Sequence, residues 1–176
     1  MTDDELRFGL REHALLEGDF LLRSGRRSAH YFDKYRFETR PELLEAIGAR
    51  IATAIGEHEP KAVRLAGPEL GAVALAAAAS LASRLPFLIV RKESKGYGTD
   101  NRIEGAFEAG ERVCLIEDVV TSGGAAVTAV QALREAGLEC RTAVCVVDRE
   151  EGGIDELARH GVRLRPLFRA GELLPT

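Results

Sequence analysis

Residues 113–125 read Val113-Cys114-Leu115-Ile116-Glu117-Asp118-Val119-Val120-Thr121-Ser122-Gly123-Gly124-Ala125. An unbroken apolar run meets two adjacent carboxylates, then two hydroxyls, two glycines and the start of a helical pattern. A short apolar run without polar alternation predicts a strand buried on both faces, spanning residues 113–120. The glycines end it, and a helix is expected over residues 124–136.

The same rhythm extends in both directions. Residues 62–66 form a short apolar strand, broken by Gly67-Pro68 and followed by a helix over 71–85 and a strand over 87–90. Residues 92–105 are polar and contain glycine, which predicts a long loop. Downstream, a strand over 142–147, a helix over 154–160 and a strand over 162–167 complete the series. Strands alternating with helices predict an α/β fold with a central, mostly parallel sheet flanked by helices. Ligands in such sheets bind beyond the C-terminal strand ends.

Upstream, residues 3–16 and 41–56 have the spacing of amphipathic helices. The second begins Thr39-Arg40-Pro41-Glu42, with Pro in the first turn and Glu42 near the positive end of the helix dipole. Residues 20–37 carry the turn signals Ser24-Gly25 and Gly25-Arg26 and read as short strands or loop. The whole chain, 1–176, is expected to form one domain, with a sheet core over about 61–168 and a small N-terminal segment over about 1–40.

The chain has 24 Lys plus Arg against 28 Asp plus Glu, a net charge of −4, which argues against a nucleic-acid partner. The 3 cysteines, Cys114, Cys140 and Cys145, are odd in number and form no CxxC pair. That fits reduced thiols in a cytoplasmic protein. The N-terminus is acidic from Asp3 onward, unlike a secretory signal, and the most apolar window, 71–85, is too short to span a bilayer. The histidines show no ligand spacing.

The chemistry centres on residues 117–125. A glycine loop at a helix N-terminus offers several backbone N–H groups to one anion, with Thr121 and Ser122 adding hydroxyl donors. Glu117 and Asp118 lie about one sugar away and can accept hydrogen bonds from vicinal hydroxyls. A lone Gly-Gly is usually a turn, and an acid pair alone merely ends a strand. Together they point to a ribose 5-phosphate. No Gly-Lys-Thr or Gly-Lys-Ser follows, as in a P-loop, and no GxGxxG opens the helix.

These residues resemble the phosphoribosyl diphosphate motif of type I phosphoribosyltransferases. Three further blocks resemble the orotate phosphoribosyltransferase family within that group. They are Leu22-Arg23-Ser24-Gly25-Arg26-Arg27-Ser28-Ala29-His30-Tyr31-Phe32-Asp33, Arg91-Lys92-Glu93-Ser94-Lys95-Gly96-Tyr97-Gly98-Thr99 and Val147-Asp148-Arg149-Glu150-Glu151-Gly152-Gly153. The four blocks lie in the family's order and reach from about residue 20 to about residue 168.

The resemblance implies the type I phosphoribosyltransferase fold, with the N-terminal segment as a small hood. It implies transfer of phosphoribosyl from 5-phosphoribosyl 1-diphosphate to orotate. Thr121, Ser122, Gly123, Gly124 and Ala125 would hold the 5-phosphate, following Val119 and Val120 at the strand end. Glu117 and Asp118 would hold the ribose hydroxyls and stabilise the developing cation. Arg91, Lys92, Lys95 and Tyr97 would face the diphosphate, with Asp118, Lys92 and Lys95 as the catalytic group. Arg23, Tyr31, Phe32, Thr121 and Arg149 would contact orotate. Gly67-Pro68-Glu69-Leu70-Gly71 matches the pyrophosphate loop. Mg²⁺ would be held mainly by substrate and water, with no dedicated protein cage. A homodimer with shared active sites is implied as well.

The chain departs from the family at several positions. Arg23 replaces a common Lys, Tyr97 a common His, and Gly124-Ala125 a common Ser or Thr. Glu69 puts a carboxylate in the pyrophosphate loop. Two alternatives follow: transfer to another base, and a non-catalytic regulator sensing phosphoribosyl diphosphate. The Tyr31-Phe32 and Arg149 segments argue against the first, and the retained Lys92 and Lys95 against the second.

Overall fold

The computed structural model describes residues 1–21, 25, 27–92 and 102–174. Helix α1 (Asp3–Ala14) opens with a capping box, in which Thr2 and Glu5 satisfy each other's backbone amides. It stops two residues short of the expected end. Leu15 instead starts strand β1 (Leu15–Leu21), which pairs antiparallel with β2 (Arg27–Phe32), Leu15 opposite Phe32. A short helix α2 (Lys34–Glu38), capped by the Asp33 side chain, follows. The stretch read as strands or loop is therefore a hairpin plus a helical turn. Its first strand begins upstream of that stretch, with Leu15, Leu16 and Glu17 opposite Phe32, Tyr31 and His30, so the pattern within the stretch showed only part of the pairing.

Helix α3 (Pro41–His58) leads into β3 (Arg64–Pro68), α4 (Val73–Ser83), β4 (Phe87–Val90), β5 (Ile103–Glu104), β6 (Arg112–Val120), α5 (Gly124–Glu135), β7 (Glu139–Asp148), α6 (Gly153–Arg159), β8 (Arg163–Arg169) and α7 (Ala170–Leu173). The six-stranded sheet has the order β5-β4-β3-β6-β7-β8. Every neighbouring pair is parallel except β4 and β5. The expected α/β sheet is present, with two adjustments. Ile103 and Glu104, read as loop, add a short antiparallel edge to β4. Strand β7 begins at Glu139 rather than at residue 142, because Glu139 pairs with Arg112 in the ladder and its carboxylate accepts from the Arg112 guanidinium at 2.9 Å.

Two apolar layers sandwich the sheet. On one face Leu6 and Leu10 of α1, Ile47, Ile51 and Ile55 of α3 and Leu75 of α4 cover Cys114, Ile116, Val144 and Val146. On the other, Val130 and Leu133 of α5 and Leu157 of α6 cover Val113, Leu115, Ala143 and Cys145. Alternate residues of β6 serve opposite layers, as strand geometry requires. Its central position buries Val113 through Ile116 completely, and its polar residues lie toward its two ends.

Helices α3 and α4 cross closely at Gly48, where a Cβ would stand 2.8 Å from the backbone carbon and the Cβ of Ala78. Gly48→Val should lower stability by about 1–3 kcal/mol through overpacking, outweighing any gain in helix propensity. Thermal denaturation would read this as a clear fall in Tm.

Candidate active site

Strand β6 ends in the acid pair. Glu117 and Asp118 are both buried, at 8% and 4% exposure. Asp118 Oδ2 accepts from Lys34 Nζ at 2.5 Å, and Oδ1 accepts from the Val119 N–H at 2.5 Å. Residue 71 of the β3–α4 turn must be glycine for this to happen, since a Cβ there would overlap both Asp118 Oδ2 and Lys34 Nζ. Glu117 Oε1 and Glu38 Oε1 are buried and have no hydrogen-bond partner.

Burial, and secondarily the charge of Asp118, pushes the Glu117 carboxyl up to about 8. The same two causes, in the same order, push Glu38 up to about 8. Burial opposes the Lys34 charge, but the hydrogen bond and charge of Asp118 prevail and hold its ammonium above the usual lysine value.

The loop after β6 turns at Gly123, whose φ of +85° lies in the left-handed region that favours glycine. Thr121, Ser122, Gly124 and Ala125 are exposed. No side chain caps α5, and the Val127 N–H donates to the Gly123 carbonyl at 2.9 Å. The amides of residues 124–126 thus lack intrahelical acceptors and are available to an anion. A Cβ on Gly124 would meet nothing within 4 Å, so the loop borders open space. Gly153 of α6 packs beneath, where a Cβ would overlap Val120 and lie 2.7 Å from the Thr121 carbonyl oxygen.

Beside this edge is a cavity of about 130 Å³ lined by His30, Phe32, Val147, Arg149 and Leu173, among others. The Arg149 N–H donates to the Val120 carbonyl at 2.8 Å, fixing this segment to the end of β6, and its guanidinium lies 3.2 Å from Glu151. Phe32 lines the cavity, whereas Tyr31, one residue away, is 42% exposed and packs against Phe20 with ring centroids 5.5 Å apart. The period-two alternation of β2 separates the two aromatics.

At the end of β4, the Arg91 N–H donates to the Arg102 carbonyl at 2.8 Å, and its guanidinium lies 3.9 Å from Glu104. The Lys92 N–H donates to Glu69 Oε1 at 2.7 Å. Glu69, the unexpected acid of the β3–α4 turn, therefore anchors the root of the following loop. Arg23, Lys95 and Tyr97 lie outside the described residues.

The fold thus gathers Glu117, Asp118, the glycine loop and Arg149 at one strand end, with Arg91 and Lys92 at the same edge of the sheet. It does not bring Tyr31 to the cavity. Sequence reasoning missed Lys34 and Glu38. Asp33 as a helix cap was the only local signal for α2, and nothing in the pattern linked residue 34 to residue 118.

A titration prediction follows from Glu117. Its folded carboxyl is raised from 4.5 to about 8, so the folded state holds a proton that the unfolded state has lost across this window. Stability should fall as pH rises between these limits and level off above them. Glu117→Gln should flatten that fall in a series of thermal melts, leaving the Glu38 share.

Among the described residues, no helix is long and apolar enough to cross a membrane. Residues 36–160 match the phosphoribosyl transferase domain family. The chain is 52% identical over 157 residues to an orotate phosphoribosyltransferase of Methanocella arvoryzae, covering 89% of this chain and 88% of the relative. It is 47% identical over 173 residues to that of Halobacterium salinarum, covering 98% and 97%. The crystal structure of the Mycobacterium tuberculosis enzyme of that name superposes with a TM-score of 0.87 at 29% identity, over 97% of this chain and 98% of the other. An acid pair beside a glycine loop, on this fold and with this likeness along nearly the whole chain, places the protein in the orotate phosphoribosyltransferase family of type I phosphoribosyltransferases.

Proposed function

We propose that the protein transfers the 5-phosphoribosyl group from 5-phosphoribosyl 1-diphosphate to orotate, giving orotidine 5′-monophosphate and pyrophosphate in pyrimidine nucleotide synthesis. One observation carries this reading. A buried acid pair and an uncapped glycine-rich helix start emerge from the same strand end, beside a cavity holding an arginine.

The ring nitrogen of orotate displaces pyrophosphate at the anomeric carbon, and positive charge develops on the ribose. No protein nucleophile is required. The chain positions two anions and stabilises charge. The amides of residues 124–126 and the hydroxyls of Thr121 and Ser122 take the 5-phosphate. Glu117 and Asp118 take the ribose hydroxyls, and the Asp118 carboxylate favours the positive charge that develops on the ribose. The Arg149 guanidinium offers a planar fork to the orotate carboxylate or imide edge, with Phe32 as an apolar wall. Arg91 and Lys92, with Lys95 and Tyr97 of the adjoining loop, offset the charge of the leaving group.

The described residues bring no three His, Cys, Asp or Glu side chains together as a metal cage. The family likeness supports a Mg²⁺ ion carried mainly by substrate oxygens and water, which would screen the diphosphate charge when bound. The family likeness also supports a cytoplasmic homodimer in which loop 91–105 serves the neighbouring site.

Purified protein with phosphoribosyl diphosphate and Mg²⁺ should deplete orotate absorbance and leave uracil, adenine and hypoxanthine unchanged. Turnover of another base instead, or of none, would overturn the reading. Gly124→Asp should raise KM for phosphoribosyl diphosphate at least about tenfold, by setting a carboxylate in the anion cradle. Its Tm should not fall, because the position borders open space and an acid suits a helix N-terminus. Melting curves and initial rates measured on the same preparation test both halves.

A further inference from the structure

Lys34 is placed against the acid pair by the fold alone. The helix that carries it is seated by Phe37, whose side chain is fully buried in the layer covering Ile116. From there Lys34 Nζ reaches Asp118 Oδ2 across 84 residues of sequence. The other Asp118 oxygen accepts from the Val119 N–H. Both oxygens therefore have a donor, and rotation of the carboxylate breaks at least one bond. The glycine at 71 is the space this contact occupies.

The charges around the contact set its role. From α2 and its cap, Lys34, Glu38, Tyr35 and Asp33 surround it. On β6 the neighbour is Glu117, and on β7 it is Cys145, whose thiol is raised by burial first and by Asp148, Glu117 and Asp118 after that. The β3–α4 turn contributes no charge at Gly71. Three buried carboxyls, Asp118, Glu117 and Glu38, thus meet one ammonium, and it pairs with Asp118. Glu117 and Glu38 are pushed up to about 8, and the Lys34 ammonium pairs with Asp118 Oδ2 at 2.5 Å.

We propose that Lys34 is a positioning residue for phosphoribosyl transfer, which locks the Asp118 carboxylate in one orientation and offsets its charge where a polyanionic substrate must bind. This rests on the function proposed above. An Asp118 free to turn would meet the ribose hydroxyls in several geometries, and an uncompensated Asp118 would repel the incoming diphosphate.

A double-mutant cycle tests this. Lys34→Met should lower kcat/KM for phosphoribosyl diphosphate at least tenfold and change KM for orotate less than twofold. In the Asp118→Asn background the same substitution should cost less than twofold, because the carboxylate it serves is gone. An equal loss in both backgrounds, or no loss in the first, would overturn the proposal, since a purely structural tether acts whether or not Asp118 is charged. If Lys34→Met alone fails to fold, Lys34→Gln, which keeps a donor without the charge, is judged by the same criteria. The doubly neutral protein leaves no unpaired charge at this contact and is expected to fold. If the wild type itself lacks orotate turnover, the functional reading fails, and the cycle is read from the Tm shift given by phosphoribosyl diphosphate. Coupling between positions 34 and 118 would still be required there, and additive effects would overturn the inference.

Discussion

The parallel ladder that holds Arg112–Val120 between β3 and Glu139–Asp148 is the constraint on which everything else rests. Its backbone groups bond sideways to both neighbours, and its two faces are filled by separate apolar layers. From Val113 to Ile116 every side chain is fully buried and apolar. The strand then turns polar toward its carboxyl end, where Glu117, Asp118 and the glycine loop follow in sequence. The glycine-containing turn after β3 and the Arg149 segment after β7 reach the same edge because their strands flank β6 in parallel. The site is thus a consequence of strand order.

Burying acids at that edge has an electrostatic consequence. Carboxyls in a poorly solvated place resist ionisation, and each ionised one makes the next less favourable. The fold supplies a single lysine for three acids. It settles the conflict by pairing Asp118 and leaving the Glu117 and Glu38 carboxyls raised. Such a site can present hydrogen-bonding oxygens to a sugar without accumulating negative charge against a polyphosphate. Glu117 Oε1 and Glu38 Oε1 find no partner within the protein, in keeping with carboxyls that burial holds raised.

Close approach explains the glycines that matter. Gly71 gives way to the Lys34–Asp118 contact, and Gly123 adopts a left-handed turn that opens the amides of α5. Glu69 shows the same economy with a charged residue. A carboxylate beside a pyrophosphate loop looks misplaced in the sequence, yet its oxygen is occupied by the Lys92 N–H, so it tethers a loop root.

The strands and helices from residue 61 onward were legible because their patterns are local. Apolar runs, glycine breaks and 3.6-residue spacing depend on neighbours in the chain, and the acid–glycine stretch carries its chemistry within thirteen consecutive residues. What the sequence could not disclose was set by contacts between distant segments. Leu15 leaves its helix because Phe32 offers a strand partner, Ile103 leaves its loop because β4 has an open edge, and Tyr31 and Phe32 part company because the hairpin has two faces. Lys34 belongs to this group: its meaning depends on Asp118 and Gly71, which only the folded packing of α2 against the sheet edge brings within hydrogen-bond range. Local pattern thus determined the elements and the kind of chemistry. Tertiary packing decided which charges meet, because ion pairs are set by distance in space and carry no period in sequence.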